Sequence, residues 1–328
     1  MFDNLFLEHR TIAVVIPYFQ RESGILIKAL NSVFSSEGVS DVRIIVVDDD
    51  SPVSAKSELA NLGPTRFPVT VLEQANTGPG GARNTALDNL PAGTDYVAFL
   101  DSDDVWNSSH LKNAMIAMAA GYDVYFSDHV QLGAETSAFH RAGRIVIEQH
   151  PRIGGRDDLR AYEGDMFDQI ITGNVIGTPT VAYNFHKFSK LRFRTDLTSA
   201  GEDYLFWLEL TSKGASFSFG VFPEVTCGKG VNVYAGAGWG TEGHARRVLH
   251  ELAYRQALVT LYTLNQRQFH IVVSAIKSLR DAFIVDCLHR CIHRKKIDWK
   301  LVVMALRQEP KIIARFPIVI FKKLFGTT

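Results

Sequence analysis

The chain has 328 residues, 46% of them apolar and 21% charged, which is an ordinary globular composition with room for one large domain and an appendage. Its formal net charge is zero, but residues 287–328 hold ten Lys or Arg against two Asp or Glu, a net +8, so the rest of the chain carries −8. Three cysteines (Cys227, Cys287 and Cys291) at no zinc spacing exclude a disulfide framework, Met1 to Arg10 has no signal-peptide pattern, and no apolar run reaches membrane-spanning length, so a cytoplasmic protein is expected.

Thr11 to Ile16 reads as a buried strand closed by Pro17, and Arg21 to Phe34 as a helix with Leu26, Ala29, Leu30 and Val33 on one face. Val42 to Val47 is a second buried strand, running into Asp48-Asp49-Asp50-Ser51. A short helix from Ser54 to Leu62 and a strand from Val69 to Glu73 follow. A glycine-rich segment, Asn76 to Asn84, opens a helix through Leu90. The strand Tyr96 to Leu100 then ends abruptly on Asp101, Asp103 and Asp104. Four strands alternating with three helices predict a Rossmann-like, mostly parallel sheet flanked by helices, an α/β fold whose polar clusters share one edge.

Ser108 to Ala119 reads as a helix and Tyr122 to Ser127 as a fifth strand. Beyond them we expect a strand at Arg144–Ile147, a helix from Asp157 to Ile171, a strand from Thr178 to Tyr183, a helix from Gly201 to Ser212 and a strand from Phe217 to Val221. Val225 to Gly243 is glycine-rich without a period and is expected to be a loop. From His244 the pattern is helical, which divides the chain into a catalytic domain, 1–243, and a basic helical region, 244–328.

Each cluster has two readings. Asp101, Asp103 and Asp104 are costly together unless a cation joins them, and all-oxygen ligands suit Mg²⁺ or Mn²⁺ carrying phosphates; the alternative is an acidic turn capping the next helix. Asp49 can accept N–H donors from a base or cap the helix after it. The segment from Gly78 lets backbone approach an anion but is no Walker loop, and Arg83 within it can reach a phosphate or lie on the surface. Asp203, with Glu202, can be a general base for an acceptor hydroxyl or a helix cap. His244 is a candidate further metal ligand or an ordinary histidine, and Trp239 a sugar platform or an anchor for the loop.

Taken together the motifs resemble glycosyltransferase family 2, the inverting enzymes of the A-type nucleotide-sugar fold. The similarity covers roughly residues 11–235. Val14 to Phe19 resembles the family's opening strand. Val46-Val47-Asp48-Asp49-Asp50-Ser51 resembles its Val-Asp-Asp-Gly-Ser signature, with Asp50 in place of glycine. Asn76-Thr77-Gly78 through Ala82-Arg83-Asn84 matches its Asn-x-Gly…Ala-Arg-Asn element, Asp101-Ser102-Asp103 its metal-binding Asp-x-Asp, and Gly201-Glu202-Asp203 its late acidic pair.

The resemblance implies that Pro17, Phe19 and Asp49 line the base pocket, with Arg83, Asp101 and Ser102 also on the donor. It implies a metal at Asp103 and a catalytic base at Asp203. The donor is then a nucleoside-diphosphate sugar, UDP-linked, and the acceptor a saccharide or lipid-linked glycan in surface polysaccharide synthesis. No Gln-x-x-Arg-Trp motif follows Asp203, which points to single additions. The basic C-terminal helices fit an anionic leaflet on the inner face of the membrane, or a homodimer contact; no nucleic-acid module is recognised. Two rival functions stay open, a sugar nucleotidyltransferase and a non-catalytic nucleotide-sugar-binding protein. The first lacks its expected basic glycine-rich loop after Pro17.

Overall fold

The computed structural model describes residues 10–60, 62–197, 201–228 and 237–325. Its elements run β1 (Ile12–Tyr18), α1 (Ile25–Phe34), β2 (Val42–Asp49), α2 (Ala55–Leu59), β3 (Val69–Gln74), α3 (Gly78–Asp88), β4 (Tyr96–Phe99), β5 (Val105–Trp106), α4 (His110–Ala119) and β6 (Val124–Gln131). Then come α5 (Ala138–Ala142), β7 (Leu159–Ala161), α6 (Met166–Gly173), β8 (Ala182–Asn184), α7 (Phe185–Phe188), α8 (Glu202–Ser212) and β9 (Phe217–Cys227). The chain finishes in α9 (His244–Leu261), α10 (Gln266–Ile292), α11 (Trp299–Gln308) and α12 (Lys311–Phe325).

One sheet runs β3-β2-β1-β4-β8-β6-β9-β5, with β7 also paired to β9. β3, β2, β1 and β4 are mutually parallel, and β8 joins β4 antiparallel. Every residue of β1 and β4 is buried, which explains their unbroken apolar runs: both faces are covered. Each large aliphatic side chain so buried contributes roughly 1.5–3 kcal/mol. The β1–β4 ladder ends at Val15 and Phe99, with one further bond from the Leu100 N–H to the Val15 carbonyl. Pro17, which has no N–H to give, lies just beyond. There β4 turns away into the acidic loop.

The chain divides into two compact units, residues 1–198 with 203–231, and residues 199–202 with 232–328. The second has its own apolar core, including Val248, Phe283, Ile284, Leu301 and Ile312. Asn265 and Gln268 form a reciprocal cap at the start of α10. Among the described residues no helix is long and apolar enough to cross a membrane.

Several local expectations differ from the structure. Arg144–Ile147 is not a strand; a single turn of 3₁₀ helix occupies Ile147–Gln149 instead. The helix expected from Asp157 is split, with Leu159–Ala161 pairing to β9 before α6 begins at Met166. Thr178–Thr180 is a 3₁₀ turn, and only Ala182–Asn184 pairs as strand. The late strand extends to Cys227, so it absorbs the first residues of the expected glycine-rich loop; residues 229–236 of that loop lie outside the described ones.

Candidate active site

Three chain segments meet at the carboxyl ends of β1, β2 and β4, and Gln20 ties them. Its backbone N–H donates to Ser51 Oγ (2.8 Å), Ser51 Oγ donates back to its carbonyl (3.0 Å), and its side-chain amide donates to Ser102 Oγ (3.0 Å). Ser102 is therefore buried inside the turn as a structural acceptor. Phe19, which precedes Gln20 in the chain, is half-buried.

Asp48 and Asp49 do different work. Asp48 accepts the Ser51 and Ala55 N–H groups at 2.8 and 2.7 Å, closing the turn and capping α2. Asp49 is buried at the start of α3, where Oδ1 accepts the Thr77 N–H and the Gln74 amide, and Oδ2 accepts the Gly78 N–H, at 2.7–2.8 Å. Oδ2 keeps capacity for one further donor. Asp50 takes the left-handed conformation, φ 60°. Glycine adopts that backbone freely and aspartate tolerates it, which accounts physically for the substitution in the signature.

Helix α3 carries Arg83 and Asn84 into the interior. The Arg83 guanidinium, 4% exposed, donates to Asp101 Oδ1 at 2.6 Å and lies 5.4 Å from the Phe193 ring centroid. Asn84 clasps the Phe193 backbone, giving its amide to the carbonyl and accepting the N–H, at 2.8 and 2.7 Å. Phe193 stacks on Phe206 of α8 at 4.2 Å and meets Phe99 of β4 edge-on at 5.3 Å. This aromatic cluster joins the end of β4 to the start of α8.

Asp203 stands at that start. Its carboxylate accepts the Thr178 hydroxyl (3.1 Å) and the Tyr204 N–H (2.8 Å). Burial raises the Asp203 pKa above the usual carboxylate range; the nearby Arg83 charge and the two hydrogen bonds oppose that shift, and Asp101 adds to it. Asp101, Arg83 and Asp203 thus form one electrostatic group. Glu202, its neighbour in sequence, is buried.

The rest of the acidic turn is held by β9. β5 pairs with Thr226 and Val225, and Asp104 accepts the Gly228 N–H at 2.8 Å. A Cβ on Gly228 would fall 1.9 Å from the Asp103 carbonyl oxygen, so only glycine allows this approach. Burial, then the charges of Asp101 and Asp103, lift the Asp104 carboxyl to about 8. The carboxylates of Asp101 and Asp103 at this turn are hard oxygen donors, which fits Mg²⁺ or Mn²⁺. Among the described residues no three His, Cys, Asp or Glu side chains are grouped to hold an ion by themselves. A cation here would complete its shell with phosphate oxygens and water.

His244 lies in the other unit. Its Nδ1 is 3.1 Å from Asp286 Oδ1, and Trp239 packs edge-on against it at 5.1 Å. Asp286 also accepts Arg290 Nε at 2.7 Å. Gln20, Thr178 and Phe193 were not singled out from sequence, because a polar residue after a strand, a threonine and a phenylalanine carry no local signal.

The family model for glycosyl transferase family 2 matches residues 13–181. The succinoglycan biosynthesis protein ExoW of Rhizobium meliloti (strain 1021) is 30% identical over 307 residues, 92% of this chain and 95% of its own length.

The chain belongs to glycosyl transferase family 2.

It is accordingly a glycosyltransferase with the A-type fold expected from its motifs. A Campylobacter jejuni relative, GalNAc(5)-diNAcBac-PP-undecaprenol beta-1,3-glucosyltransferase, is 30% identical over 48% of this chain and 50% of its own. Among solved structures, the mannosyltransferase PcManGT from Pyrobaculum calidifontis, in complex with GDP-Man and Mn²⁺, superposes with a TM-score of 0.55 at 17% identity, covering 98% of this chain and 89% of that one. S. aureus TarS 1–349 with UDP gives 0.53 at 18% identity, covering 97% and 92%. At such identities these two show the shared fold of the family 2 chain.

Proposed function

We propose that this family 2 enzyme inverts the anomeric centre of a UDP-linked hexose as it transfers the sugar to a hydroxyl of a lipid-linked saccharide. The observation that carries the reading is the Asp101–Arg83 pair, whose guanidinium also acts on Asp203. It supports the reading because the residues read as donor-side acid, Asp101, and acceptor-side base, Asp203, both lie under the influence of this one cation. UDP is favoured because TarS has been solved with UDP-GlcNAc, and an Escherichia coli relative, 29% identical over 121 residues, is named a UDP-Glc:alpha-D-GlcNAc-diphosphoundecaprenol beta-1,3-glucosyltransferase.

On this reading Pro17 and Phe19 border the base, and the spare lone pair of Asp49 Oδ2 accepts the imide N–H of uracil. Arg83 holds Asp101 in place for the ribose or sugar, and Asp103 holds a divalent cation. That cation, when bound, offsets negative charge on the departing diphosphate. Asp203, oriented by Thr178 and the Tyr204 N–H, takes the proton of the acceptor hydroxyl. The oxygen attacks from the face opposite the diphosphate, so an α-linked donor yields a β-linked product. His244 secures α9 through Asp286 and is not assigned to the metal. The basic C-terminal helices face an anionic leaflet, where a lipid-linked acceptor resides, and the enzyme is peripheral there.

A thermal-shift screen of nucleotide sugars tests the reading, since a ligand that binds the native state raises the melting temperature. Uridine donors are expected to raise it only with Mn²⁺ or Mg²⁺ present. No shift with any uridine nucleotide would overturn the donor assignment.

A further inference from the structure

The C-terminal unit encloses a cavity of about 690 Å³ between α9, α10 and α11. Arg246, Arg247, Arg290, Lys296 and Lys300 line it, against Glu242, Asp286 and Asp298. Arg290 is fully engaged, with Nε on Asp286, Nη1 on the Lys296 carbonyl and Nη2 on the Thr241 carbonyl. It and His244 satisfy Asp286 from within. The other cations are not so spoken for. Arg246 is 3.8 Å from Asp298, whose Oδ1 already caps the Leu301 N–H. Arg247 Nε is buried without a hydrogen-bond partner among the described residues and lies 3.7 Å from Glu251 Oε1. Lys296 and Lys300 make no ion pair among the described residues. A concave surface with uncommitted guanidinium and ammonium groups fits a phosphate or diphosphate.

The cavity opens beside an apolar face. Trp299 and Lys300 line both the cavity and a groove along α11 that continues over Val303, Met304 and Arg307. Trp299 is 64% exposed, and Val303 and Met304 are exposed with it. α12 buries Ile312 and Val319 and turns Ile313, Phe316, Ile318 and Phe321 outward. Seven large apolar side chains on successive helices exceed the scatter of single ones normal at a surface. Lys300, Arg307 and Lys311 stand among them, all exposed. A two-fold contact with a second copy would set this +8 region against itself. An anionic amphiphile instead satisfies both features.

We infer that the C-terminal unit binds a phosphate-bearing lipid, with the headgroup at Arg246, Arg247, Lys296 and Lys300 and the hydrocarbon on the Trp299–Val303–Met304 face. As the place where a lipid-linked acceptor docks, it rests on the function proposed above; as a lipid site it stands alone.

Co-sedimentation of the full chain with vesicles tests it. The probes are phosphatidylcholine alone, phosphatidylcholine with phosphatidylglycerol, and phosphatidylcholine with a polyprenyl diphosphate at equal total charge. Neutral vesicles should bind weakly, and the polyprenyl diphosphate should bind most tightly. Arg247→Gln with Lys300→Gln should weaken the last at least about tenfold and erase its advantage over phosphatidylglycerol. Val303→Ser with Met304→Ser should weaken binding to both anionic vesicles. Both pairs should keep the wild-type melting temperature and its shift with UDP and Mn²⁺. Vesicle binding that ignores both pairs would overturn the proposal. So would stabilisation by inorganic pyrophosphate without vesicle binding, which marks a free-anion site, or a dimer broken by Val303→Ser with Met304→Ser and no vesicle binding. If the vesicle pattern holds but UDP gives no shift, the lipid site stands and the donor assignment falls.

Discussion

Arg83 Nη2 lies 2.6 Å from Asp101 Oδ1, and the same buried guanidinium lowers the pKa that burial raises at Asp203. One cation on α3 therefore governs carboxylates from two other segments. Arg83→Met removes it without restoring charge balance. We expect a fall in kcat/KM of about 10²–10³ and a stability loss of about 1–3 kcal/mol, below the usual cost for a fully buried pair because Asp101 is 32% exposed. The acid limb of the pH–rate profile should move to higher pH, since Asp203 loses its stabilising neighbour. A limb that stays in place would show that Arg83 does not act on the base.

Asp203→Asn should keep binding of UDP with Mn²⁺ and lower kcat by about 10²–10⁴. Its stability effect has the opposite sign. The folded-state pKa of Asp203 lies above that of the unfolded chain, so the native protein binds this proton more tightly. The resulting stabilisation is complete below the unfolded pKa and is lost as pH rises through the raised one. Above its raised pKa the wild type therefore holds an ionised carboxylate at a cost, and there Asp203→Asn should melt a few degrees higher. Melting curves of both proteins across pH check this: their difference should be absent below the unfolded carboxyl pKa and grow as pH rises through the raised one.

Asp50 occupies a left-handed backbone, φ 60°. Asp50→Gly should stabilise the protein by up to about 1 kcal/mol and leave donor affinity unchanged, while Asp50→Val should destabilise it by about 1–2 kcal/mol. Denaturant midpoints decide between this and a functional role for the extra carboxylate, which would show as weaker UDP binding in Asp50→Gly.

Gln20 ties the β1 end to both the Ser51 turn and the Asp101–Asp104 turn. Gln20→Ala strips Ser102 of its buried donor and should cost about 1–2 kcal/mol. Because it loosens the rim without touching the base, KM for the donor should rise more than kcat falls. Steady-state kinetics with a varied nucleotide sugar provide the check.

The parallel half of the sheet is legible in the sequence because its central strands are covered on both faces. β1, β2 from Ile44 onward and β4 read as apolar runs; β1 closes on Pro17, while β2 and β4 run into acids. The motifs at their ends carry the turn chemistry with them, down to Asp50 at the glycine position. The middle of the chain is not legible in that way. β5 has two residues and β7 three, too few for any period, and each exists because β9 offers a partner far away in sequence. Phe193 is set by Asn84, 109 residues earlier, and Thr178 by Asp203. Such contacts follow from the tertiary fold and leave no trace in the local pattern. His244, read from sequence as a candidate ligand, has its Nδ1 on Asp286, 42 residues later, another contact that no local pattern announces.

On the proposed function, the acidic turn, the Arg83 helix and Asp203 surround a single bound donor. The most direct measurement is the anomalous scattering of Mn²⁺ in crystals of the chain grown with UDP. One Mn²⁺ bound through Asp103 and the diphosphate, uracil against Asp49, and Asp203 facing the terminal phosphate from the acceptor side are expected. Mn²⁺ or UDP bound away from Asp103, or Asp203 opening onto a different cavity, would contradict it.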